Sequence, residues 1–370
     1  MKTVRVRCSS FDYGVTVGRS LLTSMGLEAK AAARSPKAAL ITDAHVAALY
    51  KDKALASLRE AGLAAEAIIV PPGESSKTLA QAGELFDTML RAGIDRGSVV
   101  VALGGGVVSD LAGFVAATYM RGIPWIVVST TLLGQVDASV GGKTAVDHPQ
   151  CKNLIGAFHQ PSAVLADVDT LATLPEEELR TGLAEVVKHA VIRDADLFAL
   201  LEAQAARLLA RDAEVLEDVV TRNVRIKAEV VMADERESGL RRILNYGHTI
   251  GHAIESLAMA SSGPAGGLPM SHGCAVAIGM MVEAEIAVRR GLVGRAVAER
   301  QRRLLERFGL PVRPDPALDL KQCLAVMRHD KKAEAGHMRF VLPEAIGSVR
   351  DVNDVSDGEI GEALQAVAGA

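Results

Sequence analysis

Apolar and polar positions follow two different periods along this chain. In the first half, short β-branched runs predict buried strands over residues 38–42, 67–70, 99–103, 125–128 and 163–166. Residues 1–8 alternate charged and apolar side chains like an edge strand, and residues 77–92 carry apolar residues at helical spacing before Gly93. Strand–helix alternation of this kind predicts an α/β domain with a doubly wound, mostly parallel sheet.

The pattern changes after Pro175 to long segments of helical period. These segments predict helices over residues 176–192, 197–210, 215–232, 245–257, 274–290 and 296–308. The simplest division is an α/β domain over residues 1–174 and a mostly α-helical domain over residues 175–370. The Gly-, Pro- and Ser-rich residues 261–269 predict a loop within the helical domain.

Composition narrows the classes of function. Hydrophobic residues make up 49% of the chain but aromatic residues only 3%, so Ala, Val and Leu must fill the core. The net charge of −4 provides no basic field for nucleic acid or for a membrane surface, so an anionic substrate needs a local group of Lys and Arg. The four cysteines form no Cys-x-x-Cys pair, and the N-terminus lacks a signal-peptide pattern. We expect a soluble, cytoplasmic protein that binds neither nucleic acid nor membrane.

Residues 130–153 are rich in polar groups and glycine and directly follow the strand predicted at 125–128. Open α/β sheets place ligands just past such strands, and lysines hold phosphate or carboxylate groups by charge. The segment is not a P-loop, because that motif needs a glycine six positions before its lysine, and Asp137 stands six positions before Lys143. The alternative is a polar surface loop. Its candidate residues are Asp137, Lys143, Lys152 and Asn153.

A second glycine-rich turn, residues 103–110, follows a predicted strand and opens a helical pattern. That context suits a pyrophosphate group at a helix N-terminus, although Ser109 departs from the dinucleotide fingerprint. The alternative is a tight strand–helix turn. Asp43, at the end of an earlier strand, could accept a ribose hydroxyl. Glu74 and Lys77 lie in a third, less specific loop.

The helical half contains residues typical of a metal site. His248 and His252 are four residues apart on a predicted helix, His272 follows in a loop, and Glu185 and Lys188 lie three residues apart. Two histidines and one carboxylate form a usual catalytic zinc set with an open position. Spacing alone favours both His248 and His252 as ligands, and the alternative is a capping or core-edge pair. A metal, a nucleotide loop and several lysines together indicate alcohol oxidation coupled to acid–base steps.

Six motifs, in this order, resemble the 3-dehydroquinate synthase family. They lie at residues 104–110, 135–144, 152–158, 182–188, 244–255 and 330–332, and the resemblance covers about residues 40 to 350. It implies an NAD-binding N-terminal domain, a helical domain with Zn²⁺ or Co²⁺, and a homodimer. The implied reaction turns a phosphorylated sugar acid, 3-deoxy-D-arabino-heptulosonate 7-phosphate, into 3-dehydroquinate and phosphate in the shikimate pathway.

The same resemblance implies a role for each matching residue. It makes Glu185, His248 and His272 the metal ligands and moves His252 to substrate contact or proton handling. The implied catalytic residues are Asp137, Lys143, Lys152, Asn153, Lys188 and His252. The implied substrate contacts are Arg121, Lys227, Arg241, Asn245 and one of Lys331 or Lys332. The implied NAD contacts are Asp43, Gly73, Glu74, Lys77, Gly105, Gly106, Val107, Asp110, Thr130, Thr131, Asp137, Lys143, Lys152, Thr170, Leu171 and Thr173.

Three departures from the family pattern point toward a divergent paralogue but leave the implied metal and substrate residues intact. Cys274 stands where the family usually has Glu, Cys151 stands where Gly is common, and the segment between His248 and His272 is longer than expected. One alternative is therefore a divergent sugar phosphate cyclase of secondary metabolism, which would usually alter Gly-Gly-Lys-Thr at residues 141–144 or the pair Arg241 and Asn245, whereas this chain keeps both. The other alternative is a metal-dependent polyol dehydrogenase, which shares the two-domain plan but would accumulate NADH.

Overall fold

The computed structural model describes residues 1–8, 11–149, 151–237, 239–261, 270–315, 318–331 and 338–369. Its strands are β1 (Lys2–Arg7), β2 (Asp12–Gly18), β3 (Lys37–Asp43), β4 (Ala64–Val70), β5 (Val99–Gly104), β6 (Trp125–Ser129), β7 (Lys143–His148), β8 (Cys151–Phe158), β9 (Ala163–Asp167), β10 (Phe340–Ala345) and β11 (Ser348–Val352). Its α-helices are α1 (Met25–Ala32), α2 (Ala44–Glu60), α3 (Leu79–Arg91), α4 (Gly106–Thr118), α5 (Glu176–Arg193), α6 (Ala195–Leu209), α7 (Ala213–Ala233), α8 (His248–Ser261), α9 (His272–Arg289), α10 (Arg295–Arg307), α11 (Leu320–Lys331) and α12 (Asp357–Gly369).

The chain folds into two units. The sheet unit comprises Met1–Leu174 and Arg211–Glu235, and the helical unit comprises Pro175–Ala210 and Arg236–Ala370. Within the described residues, no helix combines the length and apolar character needed to cross a bilayer.

The sheet unit has a mostly parallel sheet with the strand order β1-β2-β9-β6-β5-β3-β4. Only the β1–β2 pair at one edge is antiparallel among the described strands of this sheet. β5 and β6 are buried along their whole length, as continuous apolar runs covered on both faces should be. The predicted fold class, the five predicted strands and the edge strand at the N-terminus are confirmed.

The strand order reverses direction between β3 and β5. β3 is followed in sequence by β4 on one side, whereas β5 is followed by β6 and β9 on the other. Such a switch point opens a crevice at the carboxyl ends of the strands, which is where open α/β sheets bind ligands. The predicted nucleotide residue Asp43 ends β3, and the predicted residues Gly105 and Gly106 directly follow β5.

The predicted domain boundary after residue 174 coincides with the end of the first segment of the sheet unit. However, α7 belongs to the sheet unit, whereas its helical pattern had placed it in the helical domain. Glu217 on α7 binds the N-terminal ammonium group at 3.0 Å, and Lys227 binds Asp137 at 2.5 Å. Periodicity shows which face of a helix is buried but not what buries it.

Two hairpins were not predicted. β7 and β8 form an antiparallel pair within and just after the segment interpreted as a ligand loop, and β10 pairs with β11 in the helical unit. β8 is almost entirely exposed, so it lacks the inward–outward alternation that identifies a strand in sequence. The predicted loop 261–269 lies outside the described residues except for its first residue.

Candidate active site

Three side chains of the types that ligate metals meet in the helical unit. Glu185 lies on α5, and His248 and His272 are the first residues of α8 and α9. The Nε2 atom of each histidine lies 3.5 Å from Glu185 Oε1. A tetrahedral zinc with bonds of about 2.0–2.1 Å separates its donor atoms by about 3.3 Å. The spacing therefore fits a zinc-sized divalent cation that keeps one coordination position for substrate.

Both histidines are oriented through their other ring nitrogen. Nδ1 of His248 lies 3.1 Å from the Tyr246 carbonyl oxygen, and Nδ1 of His272 lies 3.2 Å from Glu255 Oε2. Contacts of this kind at Nδ1 select the tautomer and aim Nε2 at a metal. The arrangement is the one expected around a bound cation.

Protonation of the two histidines differs because their neighbours differ. Burial lowers the pKa of His248 well below its usual value, so this ring is neutral and ready to ligate. Burial opposes a charge on His272 as well, but hydrogen bonds to Glu185 and Glu255 outweigh it and raise its pKa to about 9. A metal must therefore displace a proton from His272. Glu185 also forms a buried ion pair with Lys188 through its other oxygen, Oε2.

Glycines allow the two ligand-bearing helices, α8 and α9, to touch backbone to backbone. A Cβ added at Gly279 would lie 1.9 Å from the Gly247 carbonyl oxygen, and one added at Gly251 would lie 3.1 Å from the Ala275 carbonyl oxygen. Gly247 also has a φ of 79°, which favours glycine and is not helical, so α8 begins only at His248. The helix predicted over residues 245–257 therefore begins later than its apolar pattern indicated.

The structure groups different candidate donors from the pair predicted by spacing alone. Among the described residues, the donor atoms that gather around Glu185 Oε1 come from His248 and His272, not from His252. The ring centroid of His252 lies 5.2 Å from that of His248 and 6.0 Å from that of His272, so His252 borders the set. Cys274 is not in the set either, and its backbone N–H is capped by Ser271 Oγ at 3.4 Å.

Four polar side chains surround the buried Lys77 in the sheet unit. Lys77 Nζ lies 2.9 Å from Glu74, 3.2 Å from Asp110, 3.7 Å from Asp147 and 2.6 Å from Asn153 Oδ1. Burial opposes the charge of Lys77, yet the carboxylates of Asp110 and Glu74 raise its pKa. Burial raises the pKa of Asp110 to about 6. Three of the predicted NAD and substrate residues thus share one polar network with Lys77.

The glycine turn after β5 allows a ligand to approach the backbone closely at the start of α4. Gly105 precedes the helix, and a Cβ there would lie 2.8 Å from Thr131 Cγ2. Without side chains at this point, the N–H groups of the first turn can meet a phosphate group. Asp43 Oδ1 instead caps α2 by accepting two backbone N–H groups at 2.8 and 3.0 Å. A ribose hydroxyl would have to share this carboxylate with the cap.

The remaining predicted residues of the sheet unit lie in turns, in the first turn of α4 and on the β7–β8 hairpin. Arg121, Lys143 and Lys152 are exposed, and Arg121 has a left-handed φ of 67°. Thr131 Oγ1 accepts the Gly134 N–H at 3.1 Å. Gly73 precedes a 3-10 turn that holds Glu74, Val107 lies in the first turn of α4, Thr130 follows β6, and Thr170, Leu171 and Thr173 form the turn after β9.

In the helical unit, Arg241 and Lys188 are buried, and Asn245 Nδ2 donates to Glu237 Oε1 at 3.1 Å. Lys331 ends α11, and Lys332 lies outside the described residues.

Four partners of the predicted residues were not singled out from the sequence. They are Glu255 at His272, Glu237 at Asn245, Asp147 at Lys77, and Tyr50, whose hydroxyl lies 2.6 Å from Thr173 Oγ1. Only Glu255 had a usable signal, because it follows His248 by seven residues and so lies on the same face of α8.

A doubly wound sheet unit joined to a helical unit with a two-histidine, one-carboxylate set defines a class of metal-binding enzymes. Comparison with known proteins identifies the family. Models described as the N-terminal and C-terminal parts of 3-dehydroquinate synthase match residues 67–181 and 182–333. The 3-dehydroquinate synthase of Symbiobacterium thermophilum is 50% identical over 357 residues, which cover 96% of this chain and 98% of that protein. The chain belongs to the 3-dehydroquinate synthase family.

Solved structures of related cyclases have the same fold over nearly the whole chain. A 2-epi-5-epi-valiolone synthase from Streptomyces hygroscopicus subsp. jinggangensis, with NAD⁺ and Zn²⁺ bound, is 32% identical with a TM-score of 0.88, covering 98% of each chain. A 2-deoxy-scyllo-inosose synthase, complexed with carbaglucose-6-phosphate, NAD⁺ and Co²⁺, is 26% identical with a TM-score of 0.86, covering 99% of each chain.

Proposed function

We propose that this protein is a 3-dehydroquinate synthase that uses NAD and a divalent metal, Zn²⁺ or Co²⁺. Its substrate is 3-deoxy-D-arabino-heptulosonate 7-phosphate, and its products are 3-dehydroquinate and phosphate. The observation that carries the proposal is the three-donor set of Glu185, His248 and His272, spaced 3.5 Å between each histidine nitrogen and the shared carboxylate oxygen. The 50% identity to a 3-dehydroquinate synthase over nearly the whole chain supports it.

The cofactors would supply chemistry that side chains lack. When bound, a metal held by Glu185, His248 and His272 would supply Lewis-acid polarisation of substrate hydroxyls, and NAD would supply reversible hydride transfer. Loss of phosphate and an intramolecular aldol closure complete the conversion, so NAD is unchanged overall.

The residues of this chain mainly bind and orient a substrate with two anionic groups. In this proposal, Lys152, Asn153, Lys188, Arg241 and Asn245 contact substrate. Cationic groups that are held in place before the substrate arrives stabilise developing negative charge without reorganisation. Holding one conformer also removes much of the entropic barrier to elimination and ring closure.

Two further proposed contacts lie in the sheet unit. Asp137 and Lys227 pair at 2.5 Å, so each holds the other's charge at a defined position until substrate competes for it. Lys143 completes the cationic set. His252 borders the metal donors and could exchange a proton with a substrate hydroxyl, since histidine titrates near neutral pH.

Parallel incubations with the heptulosonate phosphate and with other sugar phosphates distinguish this function from its two rivals. Purified protein with zinc and a substoichiometric amount of NAD should release phosphate from the heptulosonate phosphate over many turnovers, with no NADH accumulating at 340 nm. NADH formed in proportion to product would establish a dehydrogenase instead. Cyclisation of a different sugar phosphate, with the heptulosonate phosphate untouched, would establish a cyclase of secondary metabolism.

We also propose that the protein is a cytoplasmic homodimer, as the family resemblance implies. Light scattering after size-exclusion chromatography should give twice the chain mass of 38.9 kDa. A monomer mass at assay concentration would contradict the dimer.

A further inference from the structure

Glu283 is a buried carboxyl group in the middle of α9 that the proposed reaction does not use. Its side chain is fully buried. Oε2 accepts the Gly247 N–H at 2.8 Å. Burial raises the pKa of Glu283 well above its usual value. A buried carboxyl group that holds the Gly247 amide is therefore enclosed in the helical unit.

The Gly247 amide adjoins a proposed metal-binding residue. Gly247 directly precedes His248, and the Gly247 carbonyl also accepts the Gly251 N–H at 3.0 Å within the first turn of α8. Glu283 thus connects α9 to the start of α8.

The backbone at the start of α8 is also held in place by close packing against α9. A Cβ added at Gly247 would meet Met280 Cγ at 2.5 Å, so α9 touches this residue from one side. Glu283, one helical turn beyond Gly279 on α9, holds the amide of the same residue. Loss of the acceptor would leave a buried N–H without a partner, which costs about 1–3 kcal/mol unless the backbone moves to find water.

Resting on the proposed metal-dependent function, we propose that Glu283 is a positioning residue of the metal centre. By holding the Gly247 amide, Glu283 sets where His248 starts and so sets its distance from Glu185 and His272. The role needs a hydrogen-bond acceptor of this length and no negative charge. Glutamine should therefore replace Glu283, whereas an apolar side chain of the same length should not.

Zinc binding to the full-length apoprotein tests the proposal directly, by competition with a chromophoric chelator. Glu283→Met should raise the Kd for zinc about tenfold or more, as removal of a residue that orients a metal ligand commonly does. Glu283→Gln should stay within about threefold of the wild type. If Glu283→Met does not fold, Glu283→Asp, which withdraws the acceptor by one methylene, should show the weaker zinc binding in a protein with a native circular dichroism spectrum.

Asp167 provides a matched control in the sheet unit. It is a buried carboxyl group whose oxygens accept the backbone N–H groups of Leu22 at 3.0 Å and Asp169 at 3.2 Å. Asp167→Leu should lower the Tm while the zinc Kd is unchanged. A folded Glu283 variant without the acceptor that binds zinc like the wild type would overturn the positioning role. A wild-type protein that binds no zinc would instead overturn the proposed metal site.

Discussion

Replacing Gly279 with alanine should force apart the two helices that carry His248 and His272. The new Cβ would lie 1.9 Å from the Gly247 carbonyl oxygen and 2.9 Å from Gly251 N. Non-bonded heavy atoms keep about 3.5 Å between them, so α8 and α9 must separate by about 1.5 Å at this point. Overpacking of this kind costs about 1–3 kcal/mol. With an unfolding entropy of about 2.1 cal/mol/K per residue over 370 residues, the Tm should fall by about 1–4 °C.

The same displacement should weaken metal binding. The two histidine nitrogens lie 3.5 Å from Glu185 Oε1, already close to the donor spacing of a tetrahedral site. Metal–ligand distances tolerate deviations of only about 0.2 Å, so a shift of more than an ångström between the ligand helices is too large to absorb. We expect the zinc Kd of Gly279→Ala to rise by about tenfold or more.

Thermal unfolding with and without zinc, together with chelator competition, measures both effects. Gly83→Ala is the matched control, because Gly83 lies within α3 and a Cβ there would meet nothing within 4 Å. That variant should be as stable as the wild type or more stable by about 0.5–1 kcal/mol, with unchanged zinc affinity. If Gly279→Ala matches Gly83→Ala in both Tm and zinc Kd, the helices are not held at backbone contact and the reasoning fails.

Three further predictions address the ligands, the lysines and pH. Cys274→Ser should keep full zinc occupancy, and thiolate charge-transfer absorption in the cobalt protein would show instead that Cys274 ligates. Lys152→Met and Lys188→Met should each lower kcat/KM about ten- to a hundredfold, since a charged hydrogen bond contributes roughly 1.5–3 kcal/mol, while wild-type kinetics would remove them from the site. A hydrogen bond from Arg290 lowers the pKa of Glu359 to about 2, so its stabilisation is complete above about 4.5 and is lost as pH falls toward 2. Urea unfolding should therefore show Glu359→Gln less stable than the wild type at pH 7 with a smaller gap at pH 3, and a gap independent of pH would contradict the ion pair.

Much of this protein follows from local sequence. The five central strands and most helices can be predicted because the period of apolar residues matches the period of the backbone. This match is visible within each segment alone. The family motifs likewise contain the three candidate metal donors, Glu185, His248 and His272, within short ordered strings.

Contacts between distant segments decided which side chains group together and which unit each helix joins. Spacing favoured His252 as a ligand because it shares a helix with His248, but the start of α9 brings the His272 nitrogen to Glu185 instead. α7 joined the sheet unit through contacts such as Lys227 with Asp137, which no periodic pattern encodes. The proposed roles of Glu255 and Glu283 depend on the groups that they contact, His272 Nδ1 and the Gly247 N–H. The sequence does not show these contacts, because a glutamate on a helix looks the same in sequence whether it orients another residue or only packs in the core.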